Sequence, residues 1–165
     1  MVRWGELAHL RPDLASGGHD LFSQFGVGLA FLATVRPDGA PRLHPICVVA
    51  TDDGLYGLII PSPKLRDLKR DGRYILHSYP SPENEDAFSV TGRAIVHGPA
   101  PVRSAVITAF LAQPGRQGPA LDESHFDGQT VVEFLIDSCL LTRTTGHGDT
   151  NPQHAIWHAD AAAAR

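Results

Sequence analysis

The chain has 165 residues, 42% of them hydrophobic and 19% charged, with a formal net charge of −4. That length suits one domain with a real core, or one subunit of an oligomer, and the balanced composition excludes disorder. The negative balance excludes the overall basic field that nucleic-acid binding needs, and no run approaches the roughly 20 apolar residues that span a bilayer.

Residues 6–25 carry Leu7, Leu10, Leu14, Leu21, Phe22 and Phe25, interrupted by Pro12 and by Gly17-Gly18. This spacing predicts two short helices. The period then changes: Leu29–Val35 reads as a strand, and Arg36-Pro37-Asp38-Gly39 as a turn. Leu43–Ala50 reads as the returning strand, Thr51-Asp52-Asp53-Gly54 as a second turn, and Leu55–Ile60 as a third strand. Strands joined by such tight turns form an antiparallel meander. A short helix from about Pro63 to Arg70 interrupts it. Tyr74–Tyr79 follows as a strand, Pro80–Asp86 as an acidic loop, and Phe88–His97 as a long strand with Phe88, Val90, Gly92 and Ala94 on one face. Pro101–Ala112 has helical spacing, and Gln113–Gly128 is a Gly-, Pro- and Asp-rich loop. Val131–Thr142 and Ala155–His158 are the last strands. The expected fold is one domain over residues 1–165, mainly β (α+β), with six or seven antiparallel strands and short flanking helices. It has a helical N-terminal segment to residue 25 and a frayed tail over 161–165. Closing such a sheet into a barrel removes its sticky edges.

The most informative segment runs from Ile59 to Gly72. An apolar run stops at Pro61-Ser62-Pro63, and a basic helix begins at once. Such a junction offers unpaired backbone N–H groups and partial positive charge, with the Ser62 hydroxyl, the Lys64 ammonium and the Arg66 guanidinium beside them. Those are the parts of a phosphate seat. A solvated helix capped by Ser62, with Pro63 in its first turn, uses the same residues.

The wider order of segments separates these readings. Leu32-Ala33-Thr34-Val35-Arg36-Pro37-Asp38-Gly39-Ala40-Pro41-Arg42-Leu43-His44-Pro45-Ile46 is followed by Ser62-Pro63-Lys64-Leu65-Arg66-Asp67-Leu68. Next come Val90-Thr91-Gly92-Arg93-Ala94, then Leu141-Thr142-Arg143-Thr144 leading to Ile156-Trp157-His158. This order resembles the FMN-binding split-barrel family related to pyridoxamine 5′-phosphate oxidase, over roughly residues 20–160. The resemblance implies an antiparallel split β-barrel. Ser62 and Lys64 would hold the flavin phosphate, His44, Pro45, Ile46 and Cys47 would run along the flavin, and Ile60 and Pro61 would line the same groove. Trp157 would approach from the other subunit of a homodimer whose cofactors lie at the subunit boundary. The Arg-x-His ending of the true oxidases is missing, and His44 stands where they have an arginine, so the vitamin substrate is not expected. The implied function is an FMN-dependent oxidoreductase acting on a small molecule. A deazaflavin-dependent reductase of the same fold is an alternative, as are a non-enzymatic flavin- or haem-binding module and a barrel without cofactor. No catalytic acid or base is named.

The other chemistry-bearing residues point less clearly. Cys47 and Cys139 are far apart in apolar runs, which predicts two buried free thiols and fits a reducing cytosol. The first residues show no signal-peptide core, so a soluble, cytoplasmic protein is expected. His154 and His158 would share a strand face, a conceivable metal pair, but without clustered cysteines or carboxylates no metal site is assigned. His44 could bond a phosphate or flavin edge, or be an inward strand residue satisfied by a backbone carbonyl. The run Glu83-Asn84-Glu85-Asp86 reads as a solvated loop. Nucleophile-elbow, dinucleotide and P-loop motifs are absent.

Overall fold

The computed structural model describes residues 1–98, 102–115 and 121–159. Helices α1 (Trp4–Leu10) and α2 (Pro12–Ser23) precede strands β1 (Leu29–Val35), β2 (Pro41–Cys47), β3 (Val49–Ala50) and β4 (Leu55–Ile59). Helix α3 (Pro63–Arg70), β5 (Arg73–Ser78), β6 (Ala87–Val96), α4 (Val102–Leu111), a 3₁₀ turn (Glu123–Phe126), β7 (Thr130–Arg143) and β8 (Gln153–His158) follow. All strand pairs are antiparallel, in the order β2-β1-β5-β6-β7-β4-β3, with β8 on the free part of β7. The start of the helix expected from Pro101, the middle of the 113–128 loop and the 161–165 tail lie outside the described residues.

The three-strand meander is corrected at Val48. The expected strand Leu43–Ala50 is two strands: Pro41–Cys47 pairs with β1, whereas Val49–Ala50 pairs with β4. Between them Val48 is buried and donates its N–H to Gly28 O at 3.0 Å, turning the chain out of the first ladder. The other neighbour of β4 is therefore β7, not β2. The two ends of the sheet, β2 and β3, are joined by that one residue, so the curled sheet closes through the chain instead of through a ladder. This is a split barrel, mainly β with short helices.

The barrel is filled by side chains such as Leu32, Leu76, Phe88, Val90, Phe134 and Ile136, all fully buried. Helices α1 and α2 cover it, with Trp4 and Phe22 edge-on to Phe88 at 6.2 and 5.5 Å. Pro12 separates these helices as expected, but Gly17-Gly18 does not interrupt α2. A Cβ on Gly18 would lie 2.4 Å from the Phe88 ring, so glycine is there for close approach to the barrel. The acidic loop is only partly solvated. Asp86 is buried, paired with Arg143 at 2.8 Å and accepting bonds from the Thr144 N–H and hydroxyl, while Glu83 and Glu85 are exposed. Of the two thiols only Cys139 is buried, and desolvation pushes it up to about 12. Cys47 points outward, because it falls on the outer face of an end strand.

Candidate functional site

Helix α3 begins where β4 ends. Ser62 is its N-cap with extended backbone, Pro63 supplies a preset first turn, and Ser62 O accepts the Arg66 N–H at 3.1 Å. Proline has no N–H, so the open donors at this helix end are those of Lys64 and Leu65. Leu65 and Leu68 anchor the helix in the core. Between them Asp67, 3% exposed, accepts bonds from Thr34 Oγ1 at 3.0 Å and Arg42 Nε at 2.8 Å, with Arg70 3.8 Å from its other oxygen. Burial raises the Asp67 pKa, but the bonds from Arg42 and Thr34 and the charges of Arg42 and Arg70 outweigh it, leaving the carboxyl below its ordinary range. Asp67 thus fixes α3, and with it Lys64, against the β1–β2 hairpin.

A cavity of about 230 Å³ opens beside this junction. Pro45, Ile46 and Cys47 from β2 line one side, Ile59, Ile60 and Lys64 the strand-to-helix side. Phe110 of α4 and Leu121, His125, Phe126 and Gln129 of the following segment form the remaining wall. Phe110 and Phe126 meet edge-on at 5.3 Å. No carboxylate lines the space, and Lys64 has no ion-pair partner among the described residues. Among the other cations around α3, Arg70 and Arg73 are committed elsewhere, to Asp67 and Asp71. The cavity is mainly apolar, with a cation at the start of a helix, an arrangement that can take an anionic group beside an apolar body.

Five of the residues singled out from sequence therefore share one cavity: Pro45, Ile46, Cys47, Ile60 and Lys64. Ser62 lies at the rim, with its hydroxyl donating to Ile60 O at 2.8 Å, and would have to rotate to meet a ligand. Pro61 and Arg66 are exposed beside it. His44 is half-buried on the inner face of β2, opposite Leu32. Trp157, expected to reach the cofactor of the other subunit, is buried in the main core of its own chain, opposite Cys139 in the β7–β8 ladder. His154 bonds the Thr142 hydroxyl at 3.0 Å, and no group of three or more metal-binding side chains occurs among the described residues. The part of this wall that follows α4 was missed because residues 113–128 read as a polar loop. Its one signal was Phe126, a lone aromatic among Asp, Ser and Gly, which is buried once Asp122 caps the turn through the Ser124 N–H.

No protein-family model matches the chain, and no curated protein matches it in sequence. Solved structures do match. The heme binding protein of Mycobacterium smegmatis is 16% identical with a TM-score of 0.64, over 90% of this chain and 60% of that one. A pyridoxamine 5′-phosphate oxidase-related, FMN binding protein of Nostoc punctiforme is 15% identical with a TM-score of 0.63, over 93% of this chain and 92% of that one. The heme storage protein HutZ of Vibrio cholerae is 12% identical with a TM-score of 0.59, over 90% and 94%. The chain thus spans 60% of the length of the mycobacterial protein and nearly all of the other two. At these identities the likeness establishes the fold, which FMN-binding and heme-binding proteins share.

Proposed function

We propose, from this shared split-barrel fold, that the chain is a flavoprotein of the pyridoxamine 5′-phosphate oxidase-like type, holding FMN at the start of α3 and acting as an oxidoreductase on a small molecule. The observation that carries the reading is the convergence of Lys64, the α3 N-terminus and the apolar ends of β2 and β4 on one cavity. Lys64 and the Lys64 and Leu65 N–H groups would take the phosphate, with Ser62 and Arg66 at the rim. Pro45, Ile46 and Ile60 would flank the ring and keep water from one face. FMN, when bound, supplies hydride chemistry, and the chain's task is to bind, orient and shield it.

A homodimer is part of the same reading. The outer face of β2, β1 and β5 aligns Leu43, Ala33 and Ile75 in one row and Pro45, Phe31 and His77 in the next. Leu43 is 63% exposed and nearby Ile60 55%. The 230 Å³ within one chain is below the roughly 300 Å³ at which drug-sized pockets begin, so a second copy would complete the site. Among the described residues no helix is long and apolar enough to cross a membrane, and a cytoplasmic location is proposed with the rest.

The heme-binding neighbours support a second reading, a non-enzymatic haem module, with His125 as the imidazole that faces the cavity. The absorption spectrum of the purified protein, with mass identification of what it carries, decides. FMN with its two-banded spectrum is expected; a Soret band with haem favours the second reading, and a deazaflavin mass replaces FMN by its analogue.

A further inference from the structure

On the other side of the Glu123–Phe126 turn lies a separate, more polar cavity of about 330 Å³, lined by His97, Arg103, Asp127 and Thr130 among others. Behind it Glu133 of β7 is completely buried. One of its oxygens lies 2.7 Å from His97 Nε2; the other has no hydrogen-bond partner among the described residues, although Arg3 Nε is 3.2 Å away. A carboxylate is expensive to bury, and here it serves to hold an imidazole at the cavity wall. His97 Nδ1 has no partner among the described residues, and the Tyr56 ring packs at 6.4 Å. Arg103 donates one N–H each to Gln129 O at 2.7 Å and Phe126 O at 2.6 Å, which fixes the guanidinium while leaving its other donors unspent.

We propose that this cavity is a second ligand site, which takes the oxyanion end, phosphate or carboxylate, of a small organic acid between His97 and Arg103. The bound state has His97 donating Nδ1–H to the ligand while Nε2 stays against Glu133. The charged and titratable groups around His97 are Glu133, Arg3 and Tyr56 behind it, and Arg103 and Asp127 across the cavity. Asp127 is the one that opposes an anion. The walls formed by Gly98, Gly128 and Val131 are uncharged, and the volume exceeds a lone phosphate, which leaves room for a further neutral body.

The test titrates the whole protein with phenyl phosphate and with benzoate by calorimetry, while the ring-nitrogen NMR shifts of His97 are followed. Binding should move those signals. His97→Asn should weaken it at least about tenfold, and Asp127→Asn should strengthen it. The probe that moves the ring identifies the oxyanion. Lys64→Ala removes the seat in the other cavity and should leave this binding unchanged, so this inference and the flavin reading fail separately. If His97→Asn does not fold, the wild-type ring shifts decide alone. The inference is overturned by binding that leaves the His97 ring unmoved, by binding lost in Lys64→Ala, or by no binding of either probe at about 10 mM.

Discussion

Replacing Asp67 by Asn tests how α3 is held. The side chain keeps its shape but loses the charge that binds Arg42 Nε at 2.8 Å and draws Arg70 to 3.8 Å. A hydrogen bond to a charged group is worth about 1.5–3 kcal/mol, and breaking a buried ion pair about 3–5 kcal/mol. Arg42 is 26% and Arg70 42% exposed, so water screens both and the lower range applies. The expected loss is about 2 kcal/mol, equivalent to roughly 4–8 °C in Tm for a chain of this size. The assay is urea unfolding of both proteins across pH. Because the folded-state pKa of Asp67 is depressed, its contribution is fully present above the unfolded value of about 4 and disappears as pH falls through the folded value. Wild type and Asp67→Asn should therefore differ at neutral pH and converge in acid. A difference under about 0.5 kcal/mol at pH 7, or one that persists unchanged in acid, would refute this account of α3.

Three further outcomes follow from the same geometry. Lys64→Ala should weaken FMN binding by roughly 1.5–3 kcal/mol, at least tenfold, with urea stability unchanged; flavin fluorescence titration and unfolding curves check both halves. Gly18→Ala should destabilise by about 1–3 kcal/mol, since its Cβ would meet the Phe88 ring at 2.4 Å, despite the gain of about 1 kcal/mol in helix propensity. A stabilised variant in thermal melts would contradict that packing. Leu43→Asp, at the most exposed position of the apolar row, should convert a dimer into monomers in sedimentation velocity; a wild-type monomer would dispose of the proposed interface.

Local chemistry made much of this fold legible. The Pro-Asp-Gly turn, the β-branched runs and the Pro61-Ser62-Pro63 break each act over a few residues, so β1, β4 and α3 could be placed closely from sequence. Val48 could not. Its exit from the ladder depends on Gly28 O and on β4 finding β7, both of which are distant in the chain. Gly17-Gly18 misled for a related reason, since a propensity cost in α2 is offset by contact with Phe88, a partner that the local sequence does not show. Within the cavity, Lys64 and β2 were legible because a helix start and an adjacent strand carry their own signals. Phe110 and Phe126 reach it only through tertiary packing of α4 and the 3₁₀ turn. Asp86 was missed likewise, its partners Arg143 and Thr144 lying beyond the end of β6 on the facing strand and loop.

The central claim is that the start of α3 holds a flavin by its phosphate. Its most direct test is to strip the purified protein of small molecules and titrate it with FMN and with riboflavin, which differ only in that phosphate. Lys64 and the helix-end N–H groups predict that FMN binds tighter by about 2 kcal/mol or more, roughly thirtyfold. Equal affinities, or no affinity for either, would contradict it.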